Sequence, residues 1–320
     1  MTDILLSVED LASAYFEGRR RLTVVDDLSF HIDRGEAIAI VGESGCGKTS
    51  AALSIARLIE HGGGKITGGR IMFDGEDLAA KNKREMRAIN GKRISMIFQE
   101  PMTSLNPLLT IGYQLTEMLK KEYGAAAAFE RATGLLHAVG VDNADERMKS
   151  YPSQLSGGQR QRVMIAMALS TGPDLLIADE PTSSLDVTVQ AQILALIKSI
   201  NREMGMSVLL ITHDLGIVAE IATRVIVMYA GQLVEQGRVD EIFNHPLHPY
   251  TRGLLKAVPT VSGGRRRLYI IPGTVPSTCD YPEGCRFSSR CDICDETCLG
   301  EDPPLMSIGG RQARCRHAGE

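Results

Sequence analysis

The residues Gly42-Glu43-Ser44-Gly45-Cys46-Gly47-Lys48-Thr49 put a glycine-rich turn, an ammonium and a hydroxyl into eight consecutive positions. They follow the apolar run Ala37-Ile38-Ala39-Ile40-Val41 and precede a helix-compatible segment over residues 50–59. That pattern is a P-loop in its strand-to-helix setting, so the chain is expected to bind a nucleoside triphosphate. The glycines let the backbone fold into a nest of N–H groups aimed at phosphate oxygens, assisted by the positive end of the helix. Lys48 is expected to reach the β- and γ-phosphates, and the Thr49 hydroxyl a Mg²⁺ ion. Cys46 reads as a small filler of the loop.

Three downstream segments narrow the chemistry. Leu155-Ser156-Gly157-Gly158-Gln159 opens a helix running through Val163, Ala166 and Met167; alone, Ser156 is an ordinary N-cap and the glycines an ordinary loop. Shortly after comes Leu175-Leu176-Ile177-Ala178-Asp179-Glu180, an apolar strand ending in adjacent carboxylates, the Walker B pattern. Two ionised carboxylates side by side repel, so they make sense beside a cation. Asp179 is expected to hold Mg²⁺ and Glu180 to accept a proton from the attacking water. A further apolar strand, Ser207-Val208-Leu209-Leu210-Ile211, leads to Thr212-His213-Asp214. In this company His213 reads as a sensor of the γ-phosphate.

From Ile4 to about Gly237 the chain resembles the ATP-binding subunits of ABC transporters, each motif standing in family order. The resemblance implies a P-loop ABC ATPase core of α/β class. It places ATP on Gly42, Glu43, Ser44, Gly45, Cys46, Gly47, Lys48, Thr49 and Ser50, with Tyr15, in the loop after a first strand over 5–8, stacking on adenine. Gln99, ending a strand over 94–98, matches the Q-loop glutamine and joins Thr49 and Asp179 around Mg²⁺; Glu180, His213 and Gln99 are the implied catalytic set. Ser184-Leu185-Asp186 matches the D-loop, with Ser183 where alanine is common. Ser156, Gly157, Gly158 and Gln159 match the family signature, which faces the ATP of a partner subunit. Two ATPase subunits, the second a copy or a sibling chain, would therefore close head to tail around two nucleotides.

Strand-like runs with helices between them, 37–41, 175–178, 208–211 and 225–228, describe an α/β core with a largely parallel sheet. Phosphates would bind beyond the strands' carboxyl ends. Asp186 is placed to cap a helix whose Val189, Ile193, Leu196, Ile197, Ile200 and Met204 share a core-facing stripe, before Gly205 ends it. Between Gln99 and Ser156 the strand pattern gives way to helices over 111–122 and 125–139, the family's helical subdomain at about 100–170. The proline-punctuated segment Glu100-Pro101-Met102-Thr103-Ser104-Leu105-Asn106-Pro107 joins it to the core, as a linker or, by resemblance, as the contact to a permease's coupling helices.

The chain has 320 residues and 43% hydrophobic content, enough for two modest domains. Apolar runs fall short of the roughly twenty residues a membrane helix needs, and Asp3, Glu9 and Asp10 stand where a signal peptide would be basic and then apolar. A net charge of -4, from 35 basic and 39 acidic residues, gives no general attraction to nucleic acid, so none is expected as a partner.

His248-Pro249-Tyr250-Thr251-Arg252-Gly253-Leu254-Leu255 and a cysteine-rich end strengthen the likeness to dipeptide, oligopeptide and nickel importers. The resemblance divides the chain into an ATP-binding domain over 1–259 and a C-terminal oligopeptide-transporter-type module over 260–320. It implies an engine peripheral to the cytoplasmic face of the inner (plasma) membrane. Its partners would be two transmembrane permease subunits and an extracytoplasmic solute-binding protein, and its cargo peptides or else nickel or another small solute. A zinc-carrying ABC ATPase of nucleic-acid repair or translation is the rival from another class. The run Arg265-Arg266-Arg267 reads as a solvated turn or as a lipid or permease contact.

Six of the seven cysteines, Cys279, Cys285, Cys291, Cys294, Cys298 and Cys315, crowd into the tail. In a cytosolic protein this argues for a metal or cluster rather than disulfides, and a segment with few large apolar residues needs such a staple. By resemblance, Cys285, Cys291, Cys298 and Cys315 hold a [4Fe–4S] cluster. Cys291 and Cys294 also have the CxxC spacing of zinc sites, so Zn²⁺ stays open. Following the catalytic core, the tail is expected to leave ATP binding at Lys48 independent of it.

Overall fold

The computed structural model describes residues 3–99, 104–183, 185–258 and 269–319, together with all their side chains except that of Glu122. Residues 100–103 of the linker, Ser184 of the D-loop segment, the boundary at 259–260 and Arg265-Arg266-Arg267 lie outside the described residues. The chain forms two compact units, one made of residues 1–81 with 210–320 and the other of 82–209.

The first unit holds two layers of strands. Strand Ile4–Glu17 pairs antiparallel with Arg20–Asp33 on one side and Gly64–Phe73 on the other. This corrects the short first strand expected over 5–8, and it moves Tyr15 from a loop into a strand, opposite Leu22 and Gly64. The physical reason is a bulge: Glu9 and Asp10 interrupt the apolar alternation, Asp10 takes φ 50, and the register shifts between Val8 and Leu11 before pairing resumes. Strand Ala37–Val41 is buried at every position, as the continuous apolar run requires of a strand covered on both faces. It runs parallel to Arg224–Tyr229, which pairs antiparallel with Gln232–Arg238.

The tail is not merely appended to this unit. Strand Arg311–Ala313 pairs with Gln232–Arg238 through Glu235 and Gln236, and Met306–Ile308 pairs with it in turn. Three-residue strands carry no readable alternation, so periodicity missed them.

The second unit carries Ile94–Ile97 parallel to Leu175–Asp179. Among its described residues between 104 and 170 the regular elements are helical, chiefly Ile111–Tyr123, Ala125–Ala138 and Gly157–Leu169. Leu115 and Leu119 on the first, Ala128, Ala132 and Leu136 on the second, and Val163 and Ala166 on the third are buried at helical spacing. Helix Val187–Met204 begins as expected, the Asp186 carboxylate accepting from the Val189 N–H at 3.0 Å, and ends at Gly205 with φ 63. Its stripe is narrower than expected: Ile193, Leu194 and Ile197 are buried, whereas Met204 is 54% exposed in the last turn. No helix of the described residues is long and apolar enough to cross a membrane.

Candidate functional site

In the first unit the P-loop leaves strand Ala37–Val41 and enters helix Lys48–Ile55, which is shorter than the expected 50–59 because Arg57, at φ 56, breaks from the helical region. Gly47 caps that helix at φ 101 with no side chain on the first N–H groups, leaving them for an anion. A β-carbon on Gly47 would stand 2.4 Å from the Val24 carbonyl oxygen, and one on Gly42 2.2 Å from that of Met228. At Gly45 it would meet nothing within 4 Å. The loop is thus packed tightly on its inner side and open at Gly45, the shape a phosphate cradle needs.

Lys48 is buried, and its Nζ donates to the carbonyls of Gly42 at 2.8 Å and Glu43 at 3.0 Å. Cys46 is fully buried, which raises its thiol pKa and agrees with a filler role. Tyr15 is half-buried, its Cε1 3.0 Å from a β-carbon built on Gly64. His213 is exposed, one residue before Asp214 caps helix Leu215–Ile221 by accepting from the Gly216 N–H at 2.8 Å.

In the second unit Gln99 and Glu180 come together, the glutamine Nε2 donating to Glu180 Oε2 at 3.0 Å across 81 positions of sequence. Asp179 is buried at the end of its strand, whereas the next residue, Glu180, adopts φ 46. A non-glycine residue in that region costs roughly 1–3 kcal/mol and persists where the surroundings impose it, commonly at functional sites. Ser156 is the N-cap of Gly157–Leu169, its Oγ accepting from the Gln159 N–H at 3.3 Å while Gln159 Oε1 accepts from the Ser156 N–H at 3.1 Å. Ser156 and Gly157 are exposed, and a β-carbon on Gly157 would meet nothing within 4 Å. The motif is therefore both a capping box and an accessible surface.

The tail reaches the P-loop. Arg290, 8% exposed, donates from Nη1 to Glu43 Oε2 at 2.9 Å and from Nη2 to Glu43 Oε1 at 3.1 Å. Burial alone would lower the pKa of this guanidinium, but the bonds to Glu43 and Tyr229 hold it above the ordinary value. The Glu43 backbone N–H donates to the Tyr250 hydroxyl at 2.9 Å. Tyr250 is placed by His248, whose Nδ1 accepts from the Tyr250 N–H at 3.0 Å; burial lowers the His248 pKa to about 3, so this acceptor nitrogen stays neutral. Sequence reading gave Arg290 and Tyr250 no role at the loop. Both stood inside segments that mark the family likeness, but their partner lies more than 200 positions away.

Cys285, Cys291, Cys298 and Cys315 line one small cavity, with Phe287, His248 and His317 also in its wall. Cys279 and Cys294 are outside that lining. Burial pushes the Cys285 and Cys291 thiols up to about 11, so the thiolates that bind metal need a cation in the cavity to form. A thiol set of this kind fits a thiolate-held cluster or zinc. Asp295, Cys298 and His317 also bring donor atoms within 4.8 Å of one another.

The ABC transporter family model matches residues 25–183, and that of the oligopeptide/dipeptide transporter C-terminal region matches residues 234–298. The oligopeptide transport ATP-binding protein AppD of Bacillus subtilis is 50% identical, over 97% of this chain and 96% of the relative. The dipeptide transport ATP-binding protein DppD of Haemophilus influenzae is 44% identical, over 97% and 94%. Among solved structures, an ATP-binding cassette dimer in a post-hydrolysis state bound to ADP and Pi aligns with a TM-score of 0.66 and 28% identity, over 73% of this chain and 98% of that one. With a P-loop, a carboxylate-ended strand and a family tail all in place, the chain belongs to the ABC transporter family, as an ATPase subunit of the oligopeptide/dipeptide transporter branch.

Proposed function

We propose that this chain hydrolyses ATP to drive import of di- or oligopeptides through a membrane permease. Residues 1–259 form its ATP-binding domain, about 100–170 the helical subdomain, and 260–320 the cysteine module. The observation carrying the hydrolytic reading is the Gln99–Glu180 hydrogen bond on a glutamate held at φ 46. Peptide cargo is supported by the full-length likeness to AppD and DppD.

Lys48 and the loop's N–H groups bind the β- and γ-phosphates, with Tyr15 against adenine. Thr49, Gln99 and Asp179 are the residues that would hold Mg²⁺, whose charge offsets that growing on the phosphate oxygens. Glu180 takes a proton as the water oxygen attacks the γ-phosphorus and ADP leaves with the bridging oxygen. Gln99 orients Glu180, and His213 senses the γ-phosphate. Ser156 and Gly157, exposed on the second unit, with the half-buried Gly158 and Gln159, meet the nucleotide of a second ATPase subunit. Closure around ATP drives the permease from the cytoplasmic face of the membrane, and hydrolysis resets it. Cys285, Cys291, Cys298 and Cys315 would hold a [4Fe–4S] cluster, with zinc as the alternative. In the complete system an extracytoplasmic binding protein delivers the solute.

Glu180→Gln in the full chain tests this reading. ATP binding should persist, turnover should stall, and an ATP-bound dimer should accumulate with permease chains co-purifying. Turnover at the wild-type rate, or a different class of partner, refutes it.

A further inference from the structure

We propose that Arg290 is a positioning residue for the nucleotide site, setting the P-loop through Glu43 so that ATP affinity follows the integrity of the cysteine cavity. The inference rests on the reading of Gly42 to Thr49 as the ATP site.

Two independent connections converge on one P-loop residue. The Glu43 carboxylate receives two N–H bonds from Arg290, and the Glu43 backbone N–H is taken by Tyr250. A bidentate pair with its guanidinium out of water fixes both distance and orientation. Arg290 is in turn clamped by the tail, donating from Nε to the Pro272 carbonyl at 2.7 Å and from Nη2 to the Ile271 carbonyl at 3.4 Å, while its Nη1 also donates to the Tyr229 hydroxyl of the core at 3.3 Å. The guanidinium is therefore a rigid extension of the tail.

Both connections lead back to the cavity wall. Arg290 ends the 3₁₀ turn Ser288–Arg290, and the next residue, Cys291, lines the cavity. Phe287, also in that wall, packs its ring 5.4 Å from Tyr250 and 5.2 Å from Tyr229, centroid to centroid. Arg286 and Arg314, which likewise adjoin cavity cysteines, pair instead with Asp26 and Asp27. With its carboxylate committed to Arg290 and its backbone N–H to Tyr250, Glu43 is held at both ends, and the course of the P-loop backbone at this residue is what these contacts control. A collapsed cavity would displace the turn, release Glu43 and loosen the loop on which Lys48 rides.

The test is equilibrium binding of ATP with Mg²⁺ to the full-length chain. Arg290→Gln should raise Kd about tenfold, and Arg290→Lys, which keeps the charge and loses the fork, should recover part of that loss. Glu43→Gln should weaken binding in the same direction, and the double variant should bind no more weakly than Arg290→Gln alone. Cys291→Ser should raise Kd in the wild-type background but not further in Arg290→Gln. Lys48→Ala separates the two readings: wild-type affinity there refutes the ATP site itself. Unchanged Kd in Arg290→Gln, additive losses for Glu43 and Arg290, or unchanged Kd in Cys291→Ser each overturn the proposal. A purely structural role would lower the thermal midpoint and leave Kd alone. Should Arg290→Gln not fold, Glu43→Gln reads the same link from the P-loop side.

Discussion

Replacing Gly47 by Ala, with Gly45→Ala as its matched partner, isolates the steric part of P-loop geometry. Both glycines have positive φ, 101 for Gly47 and 80 for Gly45, so each alanine costs roughly 1–2 kcal/mol of backbone strain. The surroundings differ. A β-carbon on Gly47 meets the Val24 carbonyl oxygen at 2.4 Å, while one on Gly45 meets nothing within 4 Å. Val24 lies in strand Arg20–Asp33, whose neighbouring Val25 pairs with Ser13, so that oxygen has little room to withdraw. Overpacking of this kind adds roughly 1–3 kcal/mol, giving about 2–5 kcal/mol for Gly47→Ala against about 1–2 for Gly45→Ala. Denaturant midpoints of the two full-length variants without nucleotide provide the assay, because a ligand contact at Gly45 would then not interfere. Equal midpoints would show that the loop yields around Gly47 and that the contact with Val24 does not shape it.

The signature assignment predicts that Ser156→Arg leaves nucleotide binding to the isolated chain near wild type while abolishing ATPase activity of the assembled complex; an equal loss in both would refute action across the dimer. Anaerobically purified protein should contain about four irons per chain. That iron should be lost on replacing Cys285, Cys291, Cys298 or Cys315 by Ser and kept on replacing Cys279 or Cys294, whereas one zinc and no iron refutes the cluster. Glu36 provides a pH test: burial alone would raise its pKa, but bonds to the Arg224 guanidinium and the Asp33 backbone N–H bring it below the ordinary glutamate value. Its contribution to stability is therefore present above that value and lost as pH falls through the lower folded-state pKa. Glu36→Gln should flatten the acid limb of a denaturant-midpoint profile, and an unchanged limb would remove the pair from that role.

Motifs that act through contiguous backbone were legible in the chain itself. Gly42 to Thr49 encodes its own nest because φ preference, a missing β-carbon and helix polarity are local properties, and the structure supplies the helix at Lys48 and the left-handed Gly45 and Gly47. The same holds for Ser156 with Gln159 and for Asp186 with Val189, caps closed within three residues. The first strand was misjudged because a bulge at Glu9 and Asp10 imitates a strand end, and only pairing with both neighbours reveals that it continues. The second carboxylate of the Walker pair was expected from sequence, but its left-handed backbone and its bond to Gln99 were not.

The cysteine set divides the two kinds of knowledge most clearly. Crowding of thiols is a property of composition, and the family likeness selected four of them; that these four, and neither Cys279 nor Cys294, line one cavity is a fact of folding. The grip of Arg290 on Glu43 spans 247 positions and leaves no periodicity, cap or turn signal in either segment. Local sequence marked the P-loop turn, the paired carboxylates and the helix ends, because those depend on neighbouring residues and torsions. Which distant charge holds the P-loop in place was decided by the tertiary structure alone, since two side chains that far apart in sequence meet only after strands and tail have packed.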